Sequence, residues 1–162
     1  MKRRIANVRR LIKRYGTMTR GRDHPTFKIP LVKNARFSGD GISLEFNGEK
    51  LENQVKVVPH EVWVESWDRH KPIVYIDDDA PKEYREYLAI HGTIEKRNDE
   101  KGMDPYGEGH VLAELAERQW FLRKHTMKEW DAYNVLAELI FRKELKALGK
   151  EPAKVFRQKV LK

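Results

Sequence analysis

The residue pattern changes period once, at Asp77-Asp78-Asp79-Ala80-Pro81, and nothing else in the chain constrains the fold as strongly. Before that point, short runs rich in β-branched and aromatic residues alternate with turn residues: 27–32 (FKIPLV), 42–46 (ISLEF), 55–58 (VKVV), 61–67 (EVWVESW) and 72–77 (PIVYID). Asn47-Gly48, directly after ISLEF, signals a hairpin, because both residues tolerate the positive φ of a tight primed turn. In EVWVESW, alternation sets Val62, Val64 and Ser66 on one face and Trp63, Glu65 and Trp67 on the other. Beyond Pro81 the apolar residues recur at helical spacing, and acids with a proline favour a helix start. Helices are predicted over 82–101 and 109–124, and from the capping box Thr126-Met127-Lys128-Glu129 to about Leu148. Gly102, Asp104-Pro105, Gly149 and Pro152 supply the breaks. Strands first and helices after predict an α+β fold: a small, mainly antiparallel sheet followed by about three helices.

The chain's 162 residues suit one such domain, placed at 23–150, with an arm over 1–22 and a basic tail over 151–162. The charge is segregated accordingly. Residues 1–22 hold nine Lys or Arg and no acid, residues 142–162 hold eight bases and two acids, and the stretch between carries a net −7. In MKRRIANVRRLIKRYG, Ile5, Val8, Leu11, Ile12 and Tyr15 fall at helical spacing while Arg3, Arg4, Arg9, Arg10, Lys13 and Arg14 occupy the other faces. That is a basic amphipathic helix, suited to nucleic acid or another polyanion, with a solvated tail as the plain alternative. Paired aromatic strand motifs and GxxG clamps are missing, so sequence-specific readout is not expected.

With no cysteine, disulfides, thiolate metal sites and cysteine nucleophiles are excluded, and any metal must be held by His and carboxylates. Apolar runs do not exceed four residues, so no membrane span or secretory signal is expected and a cytoplasmic (or virion- or ribonucleoprotein-associated) protein is. Nucleophilic triads, phosphate-cradling loops and dinucleotide fingerprints are absent.

The chemistry-bearing pattern lies in the first two helices. Tyr84, Tyr87, Leu88, His91, Ile94 and Glu95 share one stripe of the first, so His91 and Glu95, at i and i+4, converge on one point. His110, Ala113, Glu117 and Trp120 form a similar stripe on the second, with Glu114 on its edge. Antiparallel packing through these stripes would bring two imidazoles and two carboxylates together, a set suited to Zn²⁺, or to Fe²⁺ or Mn²⁺ where carboxylates dominate. A buried His–Glu hydrogen bond is an equally ordinary structural device. His24, His60, His70 and His125 show no ligand spacing and are expected on the surface or in loops, and the four tryptophans in the core or an interface. The acids Asp77 to Asp79 are accounted for by a helix start, without Ca²⁺-loop spacing.

His91-Gly-Thr-Ile-Glu95 and, after Pro105-Tyr106-Gly107, His110-Val-Leu-Ala113-Glu-Leu-Ala-Glu117 resemble a group of uncharacterised small archaeal and phage proteins. Those proteins carry His-Glu-x-x-Glu on one helix and Ala-His-x-x-Ala-x-x-x-Glu on the next and look like minimal metallohydrolases. The resemblance spans residues 73–117, and its strand-then-helix order is similar to the zincin arrangement. It implies a divalent ion, Zn²⁺ first, on His91, Glu95, His110 and Glu117. Where it calls for a general-base Glu, this chain has Gly92; Glu114 is the candidate substitute if it is not a ligand, and otherwise a catalytically impaired site that binds metal for structure alone, or has lost it, is expected. A mid-helix glycine costs about 1 kcal/mol relative to Ala and points either to close approach by another backbone or a ligand or to a tolerated defect. Two functions are therefore expected: a metal-binding, hydrolase-like protein with a polyanion-binding arm, or a non-catalytic nucleic-acid-binding or assembly protein of a virus or ribonucleoprotein.

Overall fold

A computed structural model describes residues 16–17, 26–27, 30–59, 64–105 and 107–147. The basic residues of the 1–22 arm and the 151–162 tail lie outside the described residues, as do His24, His60 and Trp63. Two short strands, β1 (Gly16–Thr17) and β2 (Thr26–Phe27), pair antiparallel. The main sheet contains β3 (Val32–Phe37), β4 (Gly41–Phe46), β5 (Glu49–Val58), β6 (Glu65–Trp67) and β7 (Ile73–Asp77) in the order β3-β4-β5-β7-β6. Only β5 and β7 run parallel among these pairs; the rest are antiparallel. Three helices follow a single 3-10 turn: α1 (Arg85–Glu100), α2 (Glu108–Phe121) and α3 (Met127–Ala147). The chain is thus an α+β fold, and no described helix is long and apolar enough to cross a membrane.

Local chemistry explains the joints. Asn47 and Gly48, at φ 50° and 82°, close the β4–β5 hairpin with Phe46 opposite Glu49. At the start of α3 the capping box forms in both directions: Glu129 N donates to Thr126 Oγ1 (3.2 Å) and Thr126 N to Glu129 Oε2 (2.6 Å). Strand boundaries differ from the expected ones in several places. The run predicted at 27–32 contributes to two strands: Thr26–Phe27 joins β1, residues 28–29 lie outside the described residues, and β3 begins at Val32, beyond Pro30, which has no N–H to give a ladder. β5 extends back to Glu49, because a strand with one face in solvent can carry the polar run Glu49 to Gln54. The strand predicted over 61–67 is β6 over Glu65–Trp67, with 61–63 outside the described residues.

α1 is the central element. Every residue from Tyr87 to Ile94 is buried, because the sheet covers one side of the helix and α2 the other. Phe46, Val74 and Ile76 from the sheet are fully buried with Ala89, Ile90 and Ile94 of α1. α3 joins through aromatic side chains: Trp130 and Tyr133 lie 5.3 Å from Phe121, which is 4.7 Å from Tyr87. His125 lies in the α2–α3 turn, as expected of a loop residue, and is half-buried there: it stacks on Phe121 at 4.3 Å and bonds the Tyr87 hydroxyl at 2.9 Å. His70 is exposed, as expected of a turn residue.

At the end of β7, Asp77 is fully buried. Its Oδ1 accepts the Asp79 N–H (2.8 Å), and its Oδ2 accepts no hydrogen bond among the described residues. Burial, with the nearby Glu144 charge adding to it against the Asp79 N–H, raises the Asp77 carboxyl above its ordinary value. A carboxyl raised in the fold favours its protonated form, so its contribution is present at acid pH and lost as pH rises through the raised value. Asp77→Asn keeps an acceptor for Asp79 and stays neutral. It should stabilise the protein by roughly 1 kcal/mol at pH 7, a gain that shrinks toward pH 4, read from thermal melts at the two pH values.

Candidate metal centre

Helical spacing does at 91 and 95 what the sequence requires, and α2 brings His110 to meet them. One nitrogen or oxygen from each of His91, Glu95 and His110 lies within 4.8 Å of the others. His91 Nε2 is 3.3 Å from His110 Nδ1, which is 2.9 Å from Glu95 Oε1, and Glu95 Oε2 is 4.0 Å from His91 Nε2. Donors bound at about 2.1 Å around one ion stand roughly 3.0 to 3.4 Å apart along the edges of an octahedral or tetrahedral shell. The three groups therefore have the chemistry and nearly the spacing of a ligand set that could hold a metal. His91 is buried, whereas the side chain of His110 is 47% exposed, which leaves a solvent approach on its side.

Glu117 differs from the expected ligand role. Its Oε2 accepts from His91 Nδ1 at 2.7 Å and its Oε1 accepts from the buried Tyr133 hydroxyl, and it falls outside the three-residue group. The reason is rotational. With Nδ1 committed to Glu117, His91 turns Nε2 toward Glu95 and His110, so the α2 carboxylate acts behind the imidazole and fixes its tautomer. Glu114 is not brought to the centre; it is exposed on α2, where its charge acts on Arg118.

Two residues that the spacing did not single out complete the surroundings. Glu65, buried on β6, puts Oε1 3.9 Å from His91 Nε2, and Trp67, two residues on and therefore on the same face, donates its indole N–H to Glu95 Oε2 at 3.2 Å. The alternation in EVWVESW had grouped them; what it could not supply was that this face meets α1. Tyr133 was equally hidden, as one aromatic among several on α3.

Electrostatics follow from this enclosure. Burial alone would depress the His91 imidazole, but the Glu117 charge and hydrogen bond, then Glu65 and Glu95, outweigh it and push its pKa up to about 10. Burial would raise Glu95; the His110 hydrogen bond, the charges of both imidazoles and the Trp67 N–H hold it below its ordinary value instead. The Tyr133 phenol is pushed well above its ordinary value by burial and by Glu117, so it remains a donor. Three carboxylates thus surround one enclosed imidazole, an arrangement that favours a proton or a metal cation at Nε2.

No family model, curated protein or solved structure matches the chain. The centre therefore stands on its own geometry.

Removing Glu117 strands His91 and Tyr133 in a buried setting. Glu117→Ala should cost about 3 kcal/mol of stability, the scale for breaking a buried pair from one side, measured by urea denaturation. Glu117→Gln, which keeps an acceptor, should cost less.

Proposed function

We propose that the chain is a small metal-binding, hydrolase-like protein that holds one divalent ion, Zn²⁺ first, on His91, Glu95 and His110. The observation that carries this reading is the convergence of two imidazole nitrogens and a carboxylate from two helices, 2.9 to 3.3 Å between neighbours, with Glu117 orienting the buried imidazole from behind. Three protein ligands beside a solvent-accessible edge is the pattern of catalytic zinc rather than of closed structural zinc. An ion held by these residues would supply Lewis-acid polarisation of water for attack on a carbonyl or phosphoryl group. Protein purified without an affinity tag and analysed for metal should contain about one equivalent, lost in His91→Ala and in His110→Ala. Glu117→Gln should keep the ligands and weaken metal binding by about 10- to 100-fold, the usual effect of removing the group behind a ligating histidine. Unchanged metal content in both histidine variants would refute this reading.

A second reading rests on the segregated charge. Nine Lys or Arg without an acid in residues 1–22 favour a nucleic acid or other polyanion partner, with Arg3, Arg4, Arg9, Arg10, Lys13 and Arg14 on phosphates. The two functions are compatible, since such an arm would deliver the metal domain to its substrate. If this holds, affinity for duplex DNA or RNA falls steeply with salt, and deleting residues 1–22 flattens that dependence. Binding that ignores salt would count against it.

A further inference from the structure

Gly92 occupies the position after the first histidine, and the space its side chain would fill is taken by another residue. A Cβ built there would collide with the Glu65 carboxylate and come within 2.8 Å of Val74 Cγ1. Glycine at 92 is thus what allows a carboxylate from the sheet to lie against α1, one residue from His91. Glu65 also differs from the candidate ligands in reach. It approaches His91 Nε2 at 3.9 Å but falls outside the set whose donor atoms all lie within 4.8 Å of one another.

The backbone leading into Glu65 is held in a costly conformation. Val64 has φ of 68°, a left-handed value that a β-branched residue rarely adopts. Its side chain is buried, its carbonyl accepts Asp77 N at 2.8 Å, and Glu65 pairs with Ile76 across the β6–β7 ladder. The sheet fixes this turn from both sides, and with it the direction of Glu65 and Trp67. Trp67 in turn bonds Glu95, so one short strand supports a ligand and places a second acid.

We propose that Glu65 is the general base of the centre, resting on the metal-binding reading above. Glu65 takes a proton from water at the ion's fourth position. The water oxygen forms a bond to the carbonyl carbon or phosphorus of the substrate, the bond to the leaving group breaks, and the proton passes from Glu65 to that leaving group. The missing acid at 92 is supplied from β6.

The test uses the full chain loaded with saturating Zn²⁺ and two activated probes, 4-nitrophenyl acetate and bis(4-nitrophenyl) phosphate. Wild type should hydrolyse at least one. Glu65→Gln should retain one equivalent of Zn²⁺ while kcat falls by about 10²- to 10⁴-fold, the range for loss of a general base. Gly92→Ala, which keeps the acid but drives it from its place, should fall in the same direction. In Glu65→Ala, added formate should restore part of the rate, which a purely structural role for Glu65 would not allow. Loss of Zn²⁺ from Glu65→Gln as complete as from His91→Ala would make Glu65 a ligand and overturn the proposal. Unchanged kcat in a Zn²⁺-loaded Glu65→Gln, or a Zn²⁺-loaded wild type inert toward both probes, would overturn it while leaving the metal reading intact. Failure of wild type to take up Zn²⁺ would remove that reading itself.

Discussion

The hydrogen bond between His91 Nδ1 and Glu117 Oε2 joins the two helices that carry the candidate centre, and Tyr133 extends it to the third. Its strength depends on dryness. Both side chains are under a tenth exposed, so neither can trade the other for water, and rotating the imidazole would leave a buried carboxylate without its donor. The contact thereby ties α1 to α2 and fixes the direction of His91 Nε2 toward Glu95 and His110.

The cost of this arrangement is an excess of buried acid. Glu65, Glu95 and Glu117 lie around His91, and Glu95 also meets the half-exposed His110. Burying carboxylates against one imidazole is unfavourable unless a positive charge sits among them. A proton on His91 fills that need. A divalent ion held there would fill it more completely, because it would bring twice the charge to the same carboxylates. Such an ion would have to displace the proton that the enclosure favours, so metal binding would weaken as pH falls.

How far this was legible from residues alone depends on range. The hairpin at Asn47-Gly48, the change of period near Asp77 and the capping box at Thr126 are written in neighbours one to three residues apart, and each was readable. So was the pairing of His91 with Glu95, which one helical turn dictates. β3 and the early part of β5 were not, because Lys33 to Arg36 and Glu49 to Gln54 lack the apolar alternation that marks a strand, and their ladders come from partners already paired. The role of Glu117 was misread for a subtler reason. Spacing placed it beside His91 correctly, yet which ring nitrogen it meets is a matter of side-chain rotation. Glu65 needed the sheet to be laid on α1 before its partner could be seen.

Gly92 shows how one residue can be read both as a loss and as an accommodation. Along the helix it is a weakened turn. Across the interface it is the clearance that lets a strand reach within 3.9 Å of His91 with an acid of its own. A carboxylate on the helix would hang from the same backbone as the histidine and move with it. One carried by β6 is braced independently, by the constrained turn at Val64 and the ladder to β7, so its distance from His91 is set by the packing of sheet on helix. The precision of the centre is then a property of that interface, and substitutions that loosen Val74 or Ile76 would be felt at Glu65 before they were felt at His91 or Glu95.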